Sequence, residues 1–297
     1  MEPSEKYSIS ELEKLSGVKA HTIRIWEKRY QLINPRRTET NIRYYLKEDL
    51  TKLLRVSILN NNGYKISSIA NFDDTSIKEK VENLISVNDD IENFIDYLVV
   101  TMINMDELQF EKEVAKLVHK LGFEDTIVKV IYPFLNKIGV LWINERISPA
   151  QEHFITHLIR QKIISAIDRI PLKDTYYASF ILYLPDKELH ELGLLFCYYI
   201  AKKSGFKVYY LGQTVPIDDV IKVTKIHNPQ YIVTSFTNSI SEKQIEKHVH
   251  RIANAFKQKT IFVMGHQAKV KLKNIPSNVQ KIDDVKVFKE ILDGMIR

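Results

Sequence analysis

A single cysteine, Cys197, stands in 297 residues. No disulfide can close within the chain, and no cysteine-rich zinc site can be built. A lone thiol fits a reducing compartment, so a cytoplasmic location is expected. Long apolar runs are missing as well. No stretch approaches the roughly 18 apolar residues of a membrane span, and no membrane partner is expected. The opening MEPSEKYSIS has no apolar core, which argues against a signal peptide. Nor is there a recognisable nucleophile or acid–base set, so the chain is not read as an enzyme.

What is present is charge in one place. The formal net charge is +6, and residues 1–70 hold 13 Lys/Arg against 8 Asp/Glu, a local excess of +5. A basic N-terminal surface suits a polyanion such as DNA, or is simply a solvated face. The length allows two or three domains.

The N-terminal block reads as short helices with tight turns. Ser8–Ser16 forms a helix capped by Ser8 or Ser10, with Ile9, Leu12 and Leu15 on one face. Gly17 makes a turn. A second helix follows over about Lys19–Arg29, with Ile23, Ile25 and Trp26 available for burial. Pro35 breaks it, residues 33–46 read as a small wing, and Asp49 starts another helix. Residues 61–80 form a polar junction in which GYKISSIA can make one more short helix. From about Ile77 to Arg169 the apolar spacing is helical throughout. Four helices are expected, from VENLISVNDDIENFIDYLVVTMINM, DELQFEKEVAKLVHKLG, FEDTIVKVIYPFLNKIGVLW and residues 148–170. The last has Ser148 as cap, Pro149 at its first position and Gln151 three after the cap. Short connections make these a bundle.

Beyond Pro171 strands alternate with helices, which implies a parallel sheet covered on both faces. The expected domains are therefore 1–75, 76–171 and 172–297. They would be a winged helix-turn-helix, a four-helix bundle and a Rossmann-like parallel α/β domain. Ligands of such sheets sit beyond the carboxyl ends of the strands. The loops there offer His190, Gly193, Ser235, Thr237, Gly265 and His266. A neutral imidazole is a ready metal ligand, and Glu188 can hold its other ring nitrogen. No cluster completes a tetrahedral site, so a lone His ligand makes most sense when a cofactor supplies the rest. His153 and His157, four apart on one helix face, lack a further ligand and are not read as a metal site.

E188-L189-H190-E191-L192-G193 resembles the E/D-x-H-x-x-G motif of cobalamin-binding domains. The resemblance implies His190 as a cobalt ligand, with Ser235, Thr237 and Gly265 near the cofactor's nucleotide tail. Leu211–Pro216, LGQTVP, resembles the loop after the second strand in that family. Trp142, nine intervening residues and Glu152-His153 are similar to the W-x9-E-H signature of cobalamin-dependent MerR-type regulators, the CarH/LitR group. There the bundle covers the upper ligand, often a deoxyadenosyl group. YSISELEKLSGVKAHTIRIWEKRYQLINPRRTETNIRYY resembles a MerR-type winged helix-turn-helix. His21, Thr22, Arg24 and Lys28 would lie on the recognition helix, Arg36, Arg37, Asn41, Arg43 and Tyr44 on the wing. Two positions depart from the pattern. His266 replaces the second glycine of a Gly-Gly pair, and Ile143 follows Trp142 where some light-sensing members carry His.

The resemblance covers nearly the whole chain. It implies a transcription regulator, a repressor by analogy, that binds double-stranded operator DNA as a homodimer or higher homo-oligomer. The implied cofactor is a cobalamin, adenosylcobalamin foremost, and light is a candidate signal. Two rivals stand beside it. One is a regulator of the same fold that has lost cobalamin and answers to a partner protein. The other is a corrinoid carrier for methyl transfer, which the DNA-binding block opposes.

Overall fold

The computed structural model describes residues 6–87, 90–143, 147–237 and 241–296. The chain divides into two compact units, Met1–Ile155 and Thr156–Arg297. The divide falls inside one helix, Pro149–Asp168, rather than at the expected 171/172 boundary.

The first unit opens with α1 (Ile9–Ser16). Ser8 and Glu11 cap it reciprocally, each side chain taking the other's backbone N–H, which satisfies two of the amides a helix start leaves orphaned. Gly17 ends it at φ +73°, a left-handed conformation that a Cβ would strain. α2 (Ala20–Tyr30) follows. Its first N–H donates to the Glu13 carboxylate at 3.1 Å, and this bond fixes the turn between the two helices. Ile23 and Trp26 are buried, whereas Ile25 is 52% exposed. Ile25 therefore lies outside the core expected for it. Positions 23 and 26 share one face of the helix, and Ile25 turns to the opposite side.

The wing is a two-stranded antiparallel hairpin, β1 (Arg36–Arg37) and β2 (Arg43–Tyr44). α3 (Lys47–Asn61) starts two residues before Asp49 and uses that side chain to accept the Leu46 N–H at 2.9 Å. Leu50, Leu53, Leu54 and Ile58 bury along it. α4 (Ile66–Ile69) is the short helix expected in the junction.

The stretch expected to form the first bundle helix divides into two. α5 (Asp74–Val87) packs on α3, and α6 (Ile91–Asn104) begins anew with Asp90 as its cap, accepting from Glu92 N–H at 3.0 Å. The Asp-rich NDD sequence favours a cap over helix continuation, which apolar periodicity alone does not reveal. α7 (Glu107–Leu121) comes next. The third bundle segment joins α8 (Phe123–Thr126), a π-helical turn (Ile127–Ile131) and α9 (Tyr132–Ile143). Ile127, Val130, Ile131, Phe134 and Ile138 are buried at ordinary helical spacing across this turn. α10 (Pro149–Asp168) carries a reciprocal Ser148–Gln151 cap, and Gln151 Nε2 also donates to the Ile103 carbonyl at 3.4 Å.

The second unit is a five-stranded, fully parallel sheet: β3 (Ser179–Tyr183), β4 (Lys207–Gly212), β5 (Tyr231–Ser235), β6 (Thr260–Met264) and β7 (Val279–Lys281). Its order is β4-β3-β5-β6-β7. α11 (Leu192–Lys203), α12 (Ile217–His227), α13 (Glu242–Ala255), α14 (His266–Lys271) and α15 (Val285–Ile296) connect and close it. α12, α13 and α14 bury Val220, Ile245, Val249, Ile252 and Ala268 against one face of the sheet. α11 and α15 pack with one another, and their Phe288 meets Phe180 and Phe262 from the sheet. The chain reverses its direction of strand addition between β3 and β5, which makes the carboxyl end of that pair the crevice where such sheets take ligands. β7 and α14, short and irregular in apolar pattern, were not expected.

Candidate functional site

Two places in the molecule present chemistry-bearing side chains on a prepared surface. In the first unit, His21, Arg24 and Lys28 are exposed on α2, and Thr22 is half-buried. His21, Arg24, Ile25 and Lys28 recur at helical spacing, so they form one outward face. On the wing, Arg36, Arg37, Asn41 and Arg43 are exposed. Arg37 Nη1 donates to Asn41 Oδ1 at 2.7 Å, and Asn41 sits at φ +64°, so this pair shapes the tip. Tyr44 is half-buried, with the Lys6 ammonium 4.8 Å above its ring. A cationic helix face beside a cationic hairpin is what a duplex groove and its phosphates require.

The residue that ties these parts together is Glu27. Tyr45 OH donates to its Oε2 at 3.0 Å, and the Arg43 guanidinium lies 3.4 Å from its Oε1. The helix is thereby fixed to the strand that ends the wing. Burial, and then the Glu27 carboxylate, push the Tyr45 hydroxyl above its ordinary range. The sequence displays Glu27 and Tyr45 in plain view, yet nothing in their spacing reveals that they meet.

In the second unit, Leu184–Glu191 leave β3 as a loop. Glu188 is almost fully buried there and accepts three hydrogen bonds. Its Oε1 takes the His190 backbone N–H at 3.0 Å and lies 2.7 Å from His190 Nδ1; its Oε2 takes the Thr237 N–H at 2.7 Å. Thr237 follows β5, so one carboxylate joins the loops on both sides of the crevice. With Nδ1 donating to a carboxylate, Nε2 is the basic nitrogen of the His190 ring. The His190 side chain is 55% exposed.

The neighbouring loops are stitched to this one. Gln213 Nε2 donates to the Leu189 carbonyl at 2.7 Å, which brings the LGQTVP segment against it. Glu191, also buried, receives Arg160 Nε at 2.6 Å and Tyr210 OH at 2.7 Å. Arg160, Glu191, Tyr210 and Gln213 were not singled out from the sequence; three come from separate elements, and only the fold assembles them. Gly265 stands at φ +96°, and a Cβ there would meet the Phe236 carbonyl oxygen at 2.4 Å and Ser235 Oγ at 2.7 Å. Gly193, by contrast, has an ordinary φ, and a Cβ on it would meet nothing within 4 Å. Space therefore lies open beside the first turn of α11. His266 is exposed at the head of α14.

On the first unit's part of α10, His153 Nε2 lies 3.4 Å from Glu152 Oε2. Trp142 is the penultimate residue of α9, and its side chain lies outside the described residues.

Among the described residues no three His, Cys, Asp or Glu side chains converge to hold a bare metal ion. One imidazole oriented by a buried carboxylate is instead the donor set for the axial position of a metal already chelated by a cofactor. The open space at Gly193 leaves room for a bulky group at this sheet edge, and Gly265 is required by the close approach of the Phe236 carbonyl. The residues present thus fit a corrinoid.

Two family models match parts of the chain. Residues 7–75 match the family described as MerR HTH family regulatory protein, and residues 94–165 match a B12 binding domain. The HTH-type transcriptional repressor CarH of Myxococcus xanthus is 25% identical over 256 residues, with 84% of this chain and 85% of the relative covered. CarA of the same organism is 25% identical over 270 residues, covering 90% and 89%. The chain is a homologue of these repressors. It joins a MerR helix-turn-helix to a B12 binding domain, and the B12 match falls on α6–α10, the helical bundle, rather than on the sheet. The sheet is represented in a solved structure. The monomethylamine corrinoid protein of Methanosarcina barkeri shares the fold at TM-score 0.55 and 13% identity, over 69% of this chain and all of that one. No described helix is long and apolar enough to cross a membrane.

Proposed function

We propose that the chain is a transcriptional repressor whose operator binding responds to a bound cobalamin, adenosylcobalamin in the first place. The observation that carries this reading is the Glu188 carboxylate holding His190 Nδ1 at 2.7 Å and Thr237 N–H at 2.7 Å across the β3–β5 crevice. When bound, a corrinoid would supply a cobalt able to take an imidazole as ligand and to carry an alkyl group. His190 would hold it through Nε2. Glu188 fixes the ring and keeps the proton on Nδ1. Ser235, Thr237, Gly193 and Gly265 border the space for the cofactor's tail. Trp142, Glu152 and His153 serve the upper ligand, with an aromatic plate and two polar groups suited to an adenosine. His21, Thr22, Arg24 and Lys28 read the operator's major groove, and Arg36, Arg37, Asn41, Arg43 and Tyr44 hold its backbone.

In this reading the three working segments are residues 1–75, 76–171 and 172–297. Cofactor occupancy alters the surface available for self-association, and the number of linked DNA-binding domains sets operator affinity. Light is a candidate signal through loss of the upper ligand, although Ile143 follows Trp142 in place of the His found in some light sensors.

The deciding experiment is an absorption spectrum of the purified chain after mixing with adenosylcobalamin in the dark and desalting, beside His190→Ala. Retention of a corrin spectrum that the substitution weakens or alters supports the reading. No retained corrin by the wild type overturns it. One observation favours a second reading: the exposed His266 stands where the family's pattern has its second glycine. A regulator that lost cobalamin and answers to a partner protein would bind operator and retain no corrin.

A further inference from the structure

The basic excess is not confined to the N-terminal block. Residues 71–155 hold 8 Lys/Arg against 16 Asp/Glu, and residues 156–297 hold 22 against 13. The segments therefore carry +5, −8 and +9, and the most cationic part of the chain is the α/β unit. Within it the excess is concentrated in one stretch. From Ile217 to Lys273, which takes in α12, α13, α14 and the segments between them, stand ten Lys/Arg and four Asp/Glu. The rest of residues 156–297 holds twelve and nine.

α13 shows how the layer is built. Ile245, Val249, Ile252 and Ala253 bury against the sheet. Lys243, Lys247, His250, Arg251 and Asn254 recur at i, i+4, i+7, i+8 and i+11 and are all exposed, a single stripe on the opposite side. Lys247 stands about 6 Å further along the axis than Lys243. Part of the charge is neutralised locally: Arg251 pairs with Asp218, Lys222 with Asp219 and Lys273 with Glu242. Lys225, Lys243, Lys247 and Lys257 have no ion pair among the described residues.

We infer that this layer is a second DNA-contacting surface, which holds the phosphate backbone of duplex flanking the sequence read by the helix-turn-helix. The inference rests on the reading of the N-terminal region as a DNA-binding domain, since that domain brings duplex into reach at high effective concentration. The chemistry of the layer favours a nucleic acid over a protein. Its free cations are lysines, which protein–protein interfaces avoid and phosphates attract. Among the described residues its exposed large apolar side chains are Ile226 and Val270, and none of them is an aromatic anchor. Lysine contacts of this kind carry no sequence information, so they add affinity and salt dependence without changing which operator is chosen.

The test uses the full-length protein and two duplexes: a short one spanning the selected operator, and a long one extended at both ends. Lys243→Gln/Lys247→Gln/Lys257→Gln is compared with wild type, with the triple Lys→Arg variant as the charge-keeping control. On the long duplex the Gln variant is expected to bind more weakly at low salt. Its plot of log affinity against log salt is expected to be shallower by about 2.7 per bound protomer, from three lost phosphate contacts. On the short duplex the two proteins bind alike, and the Arg variant matches wild type on both. Equal salt slopes on the long duplex overturn the inference while leaving the DNA-binding reading intact. A change in assembly mass by light scattering with unchanged slopes makes the layer a contact to an acidic face of another copy, and also overturns it. If the wild type binds neither duplex, the DNA-binding reading falls and takes this inference with it.

Discussion

Two carboxylates invite comparison, Glu27 in the winged helix-turn-helix and Glu188 in the α/β unit. Each joins two segments that are distant in sequence, and each positions a side chain other than itself. Their settings differ. Glu27 holds one hydroxyl and one guanidinium at 3.0 and 3.4 Å, and Arg43 remains exposed to solvent. Glu188 is buried and holds two backbone amides and an imidazole at 2.7 to 3.0 Å. Shorter charge-assisted bonds in a drier place are the stronger ones. In the proposed function a wing would track a flexible duplex, whereas a cobalt-ligating imidazole would stay in one orientation. The loose clamp suits the first task and the tight one the second.

The largest expected effect comes from breaking the tight clamp. Glu188→Ala removes a charged acceptor from the Thr237 and His190 amides, at about 1.5–3 kcal/mol for each hydrogen bond to a charged group and toward the lower end because both donors are only part-buried. Thermal unfolding of the α/β unit should fall accordingly, and cobalamin retention should drop by roughly 10- to 100-fold, the usual cost of losing the partner behind a metal-binding His. Glu188→Gln restores an acceptor but not the charge, and it should recover stability more than cofactor retention. Equal losses for both variants would mean that the carboxylate acts on the fold alone.

A nearly comparable effect follows from pH. His248 on α13 lies 2.8 Å from the Tyr183 hydroxyl through Nε2, with Phe236 edge-on to its ring at 5.5 Å. Burial, reinforced by Arg251, holds the imidazole down to about 4 from its ordinary 6.5. The folded unit resists a proton that the unfolded chain accepts. Stability is therefore fully present above pH 6.5, falls as the pH drops from 6.5 toward 4, and levels off below that. The drop amounts to about 3 kcal/mol. His248→Gln should flatten chemical denaturation measured across this window. An unchanged pH dependence in the variant would assign the acid sensitivity to other groups.

The loose clamp should cost less. Tyr45→Phe removes a hydrogen bond to a charged acceptor, about 1.5–3 kcal/mol by the usual range and at its lower end for the 3.0 Å contact here. Glu27→Gln should weaken operator binding with cobalamin retention untouched, and a double-mutant cycle of the two should show coupling. Additive losses would show that Glu27 acts through Arg43 instead.

Most of the architecture was legible because its signals are periodic. The α1 cap, the Gly17 turn, the Ser148–Gln151 box and the alternation of strands and helices each lie within a few residues of sequence. What escaped depends on contacts across the chain or on competition between local rules. The NDD cap at Asp90 overrode a continuous apolar rhythm. The π-turn at Ile127–Ile131 leaves no mark in the apolar rhythm. Ile25 looked like core in a linear pattern and is exposed in three dimensions. Of the candidate site, the groups that would meet a ligand were visible as motifs, while the pairings Tyr45–Glu27, Arg160–Glu191 and Tyr210–Glu191 were not, because each joins residues 18 or more positions apart. The charge reading shows the same limit. A +5 excess in the first 70 residues nearly matched the total only because −8 and +9 follow it and cancel.

The smallest expected effect separates two wing arginines and sharpens the comparison most. Arg36 and Arg43 are both exposed, but only Arg43 shares its charge with Glu27. In the proposed function Arg36→Gln would remove a phosphate contact while leaving the Glu27 clamp in place. The salt slope of operator binding should become shallower by about 0.9, with affinities converging at high salt. Arg43→Gln removes the same kind of contact and also one arm of the clamp. Its slope should change by no more than that of Arg36→Gln, while its affinity at high salt stays below wild type, because a displaced wing is a geometric loss that salt does not screen. If the two variants converge with wild type alike, Glu27 does not use Arg43 to aim the wing, and Tyr45 alone carries the clamp.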